Sequence, residues 1–404
     1  MMMIEPVHVW VLSIFVLVFI FAYVKIKYPF WNIQPVFHSY DYWRMSYNEP
    51  FIVYKHRPIK TKFCDFIQVK TIPYLECSHQ QQIDFVNLLQ CYHIPSEKII
   101  HDINLENVNS ILKCVDHESF VSFYAQTGAA AASRPIATIS SRIVNIYFDK
   151  RPQIPVYFID YLCVNREHRD VVGVSRRILQ THEYNQRILN TTVTVSLIKK
   201  ETELFDGIIP LVQYTTSTYF IRNRPFPRLP PHFQIVRISK DNMGLLHDFL
   251  TTITAADNDT PATINVIGDI GSLISMIKTE LLFVFCLQGG EHMFAYYFIK
   301  NAKMRVEMDT GAAAAHTLQS ICSVINTDNE RLFYLGFLHC LHKIMRTNKH
   351  FKMIIFDEIG DNTVLMRHWR KKNTPVFENP AAYYLFNLIY PESPVIAEKC
   401  MILL

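Results

Sequence analysis

The stretch Phe158–Ile178, FIDYLCVNREHRDVVGVSRRI, concentrates the chemistry of this sequence. A hydrophobic run ends at Val164, a polar turn carries Arg166, His168 and Arg169, and Gly173 and Ser175 open a helical stretch. A strand, a turn with free amides and a helix N-terminus make an anion site, because the amides and the helix dipole both favour phosphate oxygens. The Arg-x-x-x-Gly-x-Ser spacing from Arg169 to Ser175 also fits an ordinary surface connection. Cys163 sits inside an apolar run, where a free thiol behaves as a small hydrophobe rather than a nucleophile. His339 and His342 share a helix face beside Cys340, with His350 further on, but no second cluster completes a ligand set and no metal is expected. The basic run Arg367–Lys372, RHWRKK, reads as a solvated face. No Ser-His-Asp order, Walker loop or dinucleotide fingerprint is visible.

These residues need a scaffold, and the composition bounds it. A chain of 404 residues suits two domains of roughly 190 residues, or one large unit. Half the residues are hydrophobic and 19% are charged, which excludes disordered and fibrous classes. A net charge of +4 makes no case for a nucleic-acid partner. Nine cysteines without a Cys-x-x-Cys pair read as reduced thiols in a cytosol-facing domain. The segment Arg222–His232, RNRPFPRLPPH, holds four prolines and reads as the boundary between two halves. In the first half, SFVSFYAQT, ATISSRIVNIYF, VYFIDYLCVN and TTVTVSLI read as strands, with a helix over Ser175–Leu189. In the second, LLFVFCLQ, MFAYYFIK, KMRVEMD, QSICSVIN, FKMIIFDEI and CMILL read as strands, with a helix over RLFYLGFLHCLHKIM. Strands, then a helix, then another strand occur twice, which suggests two similar α+β halves. The tracts Gly128–Ala132 and Gly311–Ala315 carry no side-chain chemistry and read as loops.

Before the first half, Pro6–Val24 contains no charged residue. At about 1.5 Å per residue this run matches a hydrocarbon core, and Trp10 and Tyr23 stand near its ends as interfacial aromatics do. The preceding MMMIE lacks a basic cluster and no small-residue cleavage site follows, so a retained single-pass anchor is expected rather than a signal peptide. Lys25 and Lys27 then place the rest of the chain in the cytoplasm.

Directly after the anchor, Tyr28–Val36 reads YPFWNIQPV. Here the sequence resembles the N-myristoyltransferases, which open with aromatic-x-Phe-Trp-Asp-Thr-Gln-Pro-Val. Tyr28, Phe30, Trp31, Gln34, Pro35 and Val36 match, while Asn32 and Ile33 depart. The family signature Ile-Asn-Phe-Leu-Cys-Val-His-Lys is matched at Ile159, Leu162, Cys163 and Val164, with Asp160 for Asn and Tyr161 for Phe. Leu318–Thr327, Ala381–Pro391 and Ala397–Lys399 resemble later family segments. The similarity spans most of Tyr28–Leu404 and is poor between Ser39 and Asn109.

The resemblance implies an α+β fold: a tandem pair of acetyltransferase-like (GNAT) halves with pseudo-two-fold symmetry. It assigns residues 1–27 to the transmembrane anchor, 28–222 to the acyl-CoA half and 233–404 to the peptide half. The implied activity moves a myristoyl group from myristoyl-CoA to the N-terminal glycine amine of a protein. Backbone amides of Tyr161 and Leu162 would form the oxyanion hole, the terminal carboxylate of Leu404 would be the base, and Ser196 would steer the amine. Tyr28, Phe30, Trp31, Val164, Arg166, Arg169, Gly173, Val174, Ser175 and Arg176 would hold the acyl-CoA, and Glu378 and Asp160 the acceptor. Several departures keep a second reading open, a catalytically inactive relative with a binding or structural role. Val171 and Val172 replace basic residues of the CoA turn, although Arg176 and Arg177 follow one helical turn on. Glu378 lacks flanking glycines, and the tail after Lys399 is one residue shorter than is common in the family.

Overall fold

The computed structural model describes residues 6–404 except 42–45, 47, 95–97, 114–117, 126–133, 149–151, 170, 172, 223–226, 255–263 and 308–313. The tract Gly128–Ala132, most of Gly311–Ala315, Val172 and the middle of Arg222–His232 therefore lie outside the described residues.

β-Branched and aromatic runs form the strands, and apolar residues at helical spacing form the helices that cover them. The N-terminal part contains α1 (Pro6–Lys27), β1 (Phe51–Ile52), β2 (Val69–Pro73), α2 (His79–Tyr92), β3 (Ile99–His101) and α3 (Leu105–Leu112). It continues with β4 (Phe120–Tyr124), β5 (Ala137–Phe148), β6 (Ile154–Val164), α4 (Val174–Leu189), β7 (Ser196–Glu201) and β8 (Val212–Phe220). Next come β9 (Phe233–Arg237), α5 (Gly244–Thr254), β10 (Ile264–Gly268), α6 (Ile270–Lys278), β11 (Leu282–Gly289), β12 (His292–Val306) and β13 (Ala315–Ile325). The chain ends with α7 (Glu330–Thr347), β14 (Phe351–Asp357), α8 (Asn362–Trp369), β15 (Phe377–Phe386), β16 (Leu388–Ile389) and β17 (Cys400–Leu403).

Two parallel strand pairs reveal the internal repeat. β6 and β7 pair in parallel and are joined by α4, and β13 and β14 pair in parallel and are joined by α7. Each unit follows an antiparallel run, β4–β5–β6 or β11–β12–β13. The repeats then exchange strands. β8 pairs with β14 and β15, and β15 pairs with β7, so one large sheet runs through both. MFAYYFIK and KMRVEMD, expected as separate strands, belong largely to the single strand β12. Its register shifts between Asn301 and Arg305, where Lys303 takes a φ of +51°. The bend does the work of a turn without breaking the strand.

Helices α2 and α3 fall where the sequence pattern was weakest. Both start on capping boxes, Ser78 with Gln81 and Asn104 with Asn107, which satisfy the first free amides. Along β17 the side chains alternate between two cores, as strand geometry requires. Met401 and Leu403 pack with Tyr161, Cys163 and Ile267, while Cys400, Ile402 and Leu404 pack with Val144, Phe158 and Tyr383. α1 is one apolar helix whose window Trp10–Lys27 has a mean hydropathy of 2.1 and no side chain buried.

Candidate active site

β5 and β6 fall out of register at the centre of the first repeat. Thr138 faces Cys163 and Ser140 faces Asp160, so Ile139 alone opposes Tyr161 and Leu162. This is a β-bulge, which bends the strand and disrupts its ladder at those two residues. Tyr161 takes a φ of +54°, a conformation an aromatic residue holds only when its surroundings enforce it. Its ring is buried against Phe85 and His93, which supplies that constraint. Leu162 points outward, 39% exposed. The Tyr161 N–H donates to Asp160 Oδ1 at 2.8 Å, so a carboxylate engages one of the two amides expected to bind an oxyanion.

β17 ends level with Val144 and Asn145 of β5, five or six residues along that strand from Ile139 at the bulge. It pairs in parallel with β10, which pairs with β5. Leu404 is 7% exposed and shares its core with Phe158, three residues before Tyr161.

The opening segment lies over the start of α4. Phe30 packs edge-on against Trp31 at 4.9 Å and Phe63 at 5.1 Å, and Trp31 lies 4.6 Å from Phe205. The same cluster contains Ile159, Val164, Val174 and Ile178, so the two sequence motifs meet in space. Tyr28 reaches Asp206 through its hydroxyl. Gly207, at φ +83°, is needed there, because a Cβ would lie 2.8 Å from the Tyr28 ring.

The turn before α4 is built differently from a free phosphate cradle. Arg169 donates from Nε to the Val164 carbonyl at 3.1 Å and from Nη2 to the Tyr92 carbonyl. It therefore braces the turn. Gly173 caps α4 with a φ of +104°, Val174 is buried and Ser175 half-buried. Arg166 and Arg176 are exposed beside them, and Arg177 pairs with Asp65 at 3.4 Å.

Ser196 and Glu378 are not brought to the bulge. Ser196 sits beside Tyr157, four residues before Tyr161 and so about 13 Å back along β6. Its hydroxyl accepts from Gln186 Nε2 at 2.8 Å and is fully buried. Glu378 pairs with Arg370 at 3.0 Å and accepts from Ser217 at the far end of β15. The register instead brings Lys199 opposite Tyr383, at the β7–β15 junction.

Lys199 belongs to a charged row that sequence reading missed. Its Nζ lies 2.6 Å from Glu201 Oε1 and 3.5 Å from Asp357 Oδ2. Gln319 donates to both Asp357 oxygens, and Lys300 stands opposite Gln319 on β12. Burial opposes the Lys199 charge, but Asp357, Tyr214, Glu201 and Tyr383 together hold its ammonium well above the ordinary lysine value. Burial pushes Lys300 down to about 8, with Asp160 opposing. Charges set into apolar strands, as in SLIKKE and YYFIKN, are the trace such a row leaves in a sequence.

Beneath α4 the interior is also polar. Gln34, Gln180, Glu183 and Arg187 border a small, open-mouthed depression. Each has at least one buried polar atom without a hydrogen-bond partner among the described residues.

The repeated strand–helix–strand units define the class: an N-myristoyltransferase-like tandem GNAT fold. No protein-family model and no curated protein matches the sequence. Among solved structures, N-myristoyltransferase of Saccharomyces cerevisiae with bound myristoyl-CoA is similar over 91% of this chain and 94% of that one, with a TM-score of 0.66 and 12% identity. A second structure of the yeast protein gives 0.68 and 12%, over 92% and 89% of the two chains. A tandem GNAT protein from the clavulanic acid biosynthesis pathway gives 0.51 and 10%, over 79% and 98%. At these identities the likeness is one of fold.

Proposed function

We propose that this chain is an acyl-CoA-dependent N-acyltransferase that carries a myristoyl group from myristoyl-CoA to the N-terminal glycine amine of a protein. In this reading residues 28–222 hold the acyl-CoA, residues 233–404 supply most of the acceptor groove, and α1 anchors the enzyme with its catalytic part on the cytoplasmic side. This reading is supported by the bulged Tyr161–Leu162 step on β6, with Tyr161 at a φ of +54°, in a sheet whose fold is N-myristoyltransferase-like and whose strand β17 ends in a buried Leu404. The Leu404 carboxylate takes a proton from the acceptor ammonium. The free amine attacks the thioester carbon, the carbonyl oxygen gains charge, the C–S bond breaks, and the proton the new amide nitrogen sheds passes to the departing sulfur, so that CoA leaves as its thiol. Amides of a bulge are suited to that oxygen because they are held in place before charge develops. Use of the Tyr161 amide requires the Asp160 side chain to turn away from it.

A second reading, a fold-keeping relative without turnover, is favoured by two specific observations. One is the carboxylate of Asp160 on the Tyr161 amide. The other is the polar wall of Gln34, Gln180, Glu183 and Arg187, whose unpartnered atoms a fourteen-carbon chain would seal from water. Titration of the full chain in detergent micelles with myristoyl-CoA, followed by addition of a glycine-initiated peptide, decides between them. Micromolar binding with peptide acylation is the expected result. Binding without acylation, or no binding, overturns the first reading and selects the second, and turnover overturns the second.

A further inference from the structure

Between β1 and β2, residues 55–67 read KHRPIKTKFCDFI and form neither helix nor strand. Lys55, Arg57, Lys60 and Lys62 are all exposed, and Asp65, the one acidic residue among them, is committed to Arg177 at 3.4 Å. Ile59, Phe66 and Ile67 are interleaved with these cations and are exposed too, Ile67 to 83%. Single apolar side chains on a surface need no explanation, but several grouped among cations make a surface suited to a headgroup layer. The other side of the segment is fixed to the protein. The Phe63 ring lies 5.1 Å from Phe30, the Asp65 N–H donates to Thr181 Oγ1 at 2.8 Å, and Phe66 meets Tyr184 of α4 edge-on at 5.1 Å.

This surface lies close to the end of α1. Phe30 follows Lys27, the last residue of that helix, by three positions, no more than about 11 Å of chain. The junction is braced. The Tyr28 N–H donates to the Val24 carbonyl at 2.9 Å, Asn32 Nδ2 donates to the Lys25 carbonyl at 3.4 Å, and Lys27 pairs with Asp206 at 3.6 Å. We propose that residues 55–67 are a second membrane contact: their cations bind anionic phospholipid headgroups, and Ile59, Phe66 and Ile67 enter the leaflet at which α1 ends. This rests on the reading of α1 as a retained anchor. Lys25 and Lys27 then mark the headgroup level on the cytoplasmic side, where anionic lipids concentrate, and the Phe30–Phe63 contact brings residues 55–67 to that level. The other basic run, RHWRKK, is less suited, because Arg367 pairs with Glu330 and Arg370 with Glu358 and Glu378. A spanning helix and a surface contact together orient the part that holds the acyl-CoA against the bilayer, as a helix alone does not.

The test is amide hydrogen exchange of the full chain in lipid nanodiscs of phosphatidylcholine, alone or mixed with phosphatidylserine. Exchange over residues 55–67 is expected to slow by about tenfold or more in the anionic discs. Raising the salt to about 1 M should shrink that difference, because the screening length falls to about 3 Å. Lys60→Glu combined with Lys62→Glu is expected to abolish the difference, and Ile67→Ser to weaken it. All three side chains are exposed, so these variants keep the packing of the fold. Equal exchange in both kinds of disc, or an effect of phosphatidylserine that survives in the double variant, overturns the inference. So does slowing by added CoA but not by phosphatidylserine, which would assign the cations to nucleotide phosphates. Exchange over α1 in the same samples separates the two claims. A protected α1 with residues 55–67 exchanging freely defeats the surface contact alone. An α1 that exchanges freely while phosphatidylserine protects residues 55–67 defeats the anchor reading alone.

Discussion

Glu183 shows how far single buried groups set the behaviour of this molecule. It is 1% exposed on the inner face of α4, and burial pushes its carboxyl from an ordinary 4.5 up to about 7, with Ser196, Arg187 and Gln186 opposing. Between those two values the folded chain keeps a proton that the unfolded chain releases, so stability falls as pH rises from 4.5 to 7 and is flat above. Glu183→Gln keeps an acceptor for Gln186 and removes the titration. The variant is expected to match the parent near pH 4.5 and to exceed it by about 3 kcal/mol above pH 7. Thermal denaturation at pH 4.5 and pH 8 checks this, and an equal difference at both would refute it. At this scale the sequence was partly legible. The Tyr161–Leu162 step and the Phe30–Trp31 opening could be found because motifs mark them, and Ile159 and Val164, which flank the step, share a core with Phe30 and α4. Lys199, Asp357 and Lys300 could not, because a charge in a strand gains most of its meaning from neighbours on other strands. Ser196 shows the converse. A matching residue type at a matching position ended about 13 Å along β6 from the bulge, committed to Gln186.

Elements position the site through close backbone approaches that a sequence pattern does not encode. β17 is held between β10 and the Gly360 turn. Gly360 takes a φ of +56°, its N–H donates to the Ala397 carbonyl at 2.9 Å, and a Cβ there would lie 2.7 Å from the Cys400 carbonyl oxygen. Backbone cannot move aside as a flexible side chain can. Gly360→Ala is therefore expected to cost about 1–3 kcal/mol and to displace β17. If, as proposed, Leu404 after β17 is the base and α4 borders the acyl-CoA, acylation should fall at least tenfold with acyl-CoA affinity nearly unchanged. Equal losses in both would show that the variant merely loosens the whole fold. The long strands and the two crossover helices α4 and α7 were legible because their apolar periods are sustained. Helices α2 and α3 were not, since α2 has a weakly apolar composition and polar caps define both starts.

At the scale of the molecule, the two repeats were legible as a rhythm of strands and one helix, but their exchange of strands was not. Local pattern specifies which segments become strands; which strand lies beside which is decided by pairings hundreds of residues apart. That exchange makes the halves interdependent. β7 needs β15 on its outer edge, and β8 lies between β15 and β14. β5 is flanked by β10, and β3 pairs with β12, across the Pro-rich connection. Residues 28–222 alone would leave β5, β7 and β8 with exposed, apolar edges, which pair promiscuously rather than stay monomeric. Expressed separately, residues 28–222 and 233–404 are each expected to aggregate or remain unfolded, and co-expression should yield one soluble complex. Thermal unfolding of the intact chain should be a single transition seen equally by far-ultraviolet circular dichroism and by tyrosine and tryptophan fluorescence. A monomeric 28–222 fragment with dispersed amide resonances, or two well-separated transitions in the intact chain, would show that the shared sheet does not couple the repeats.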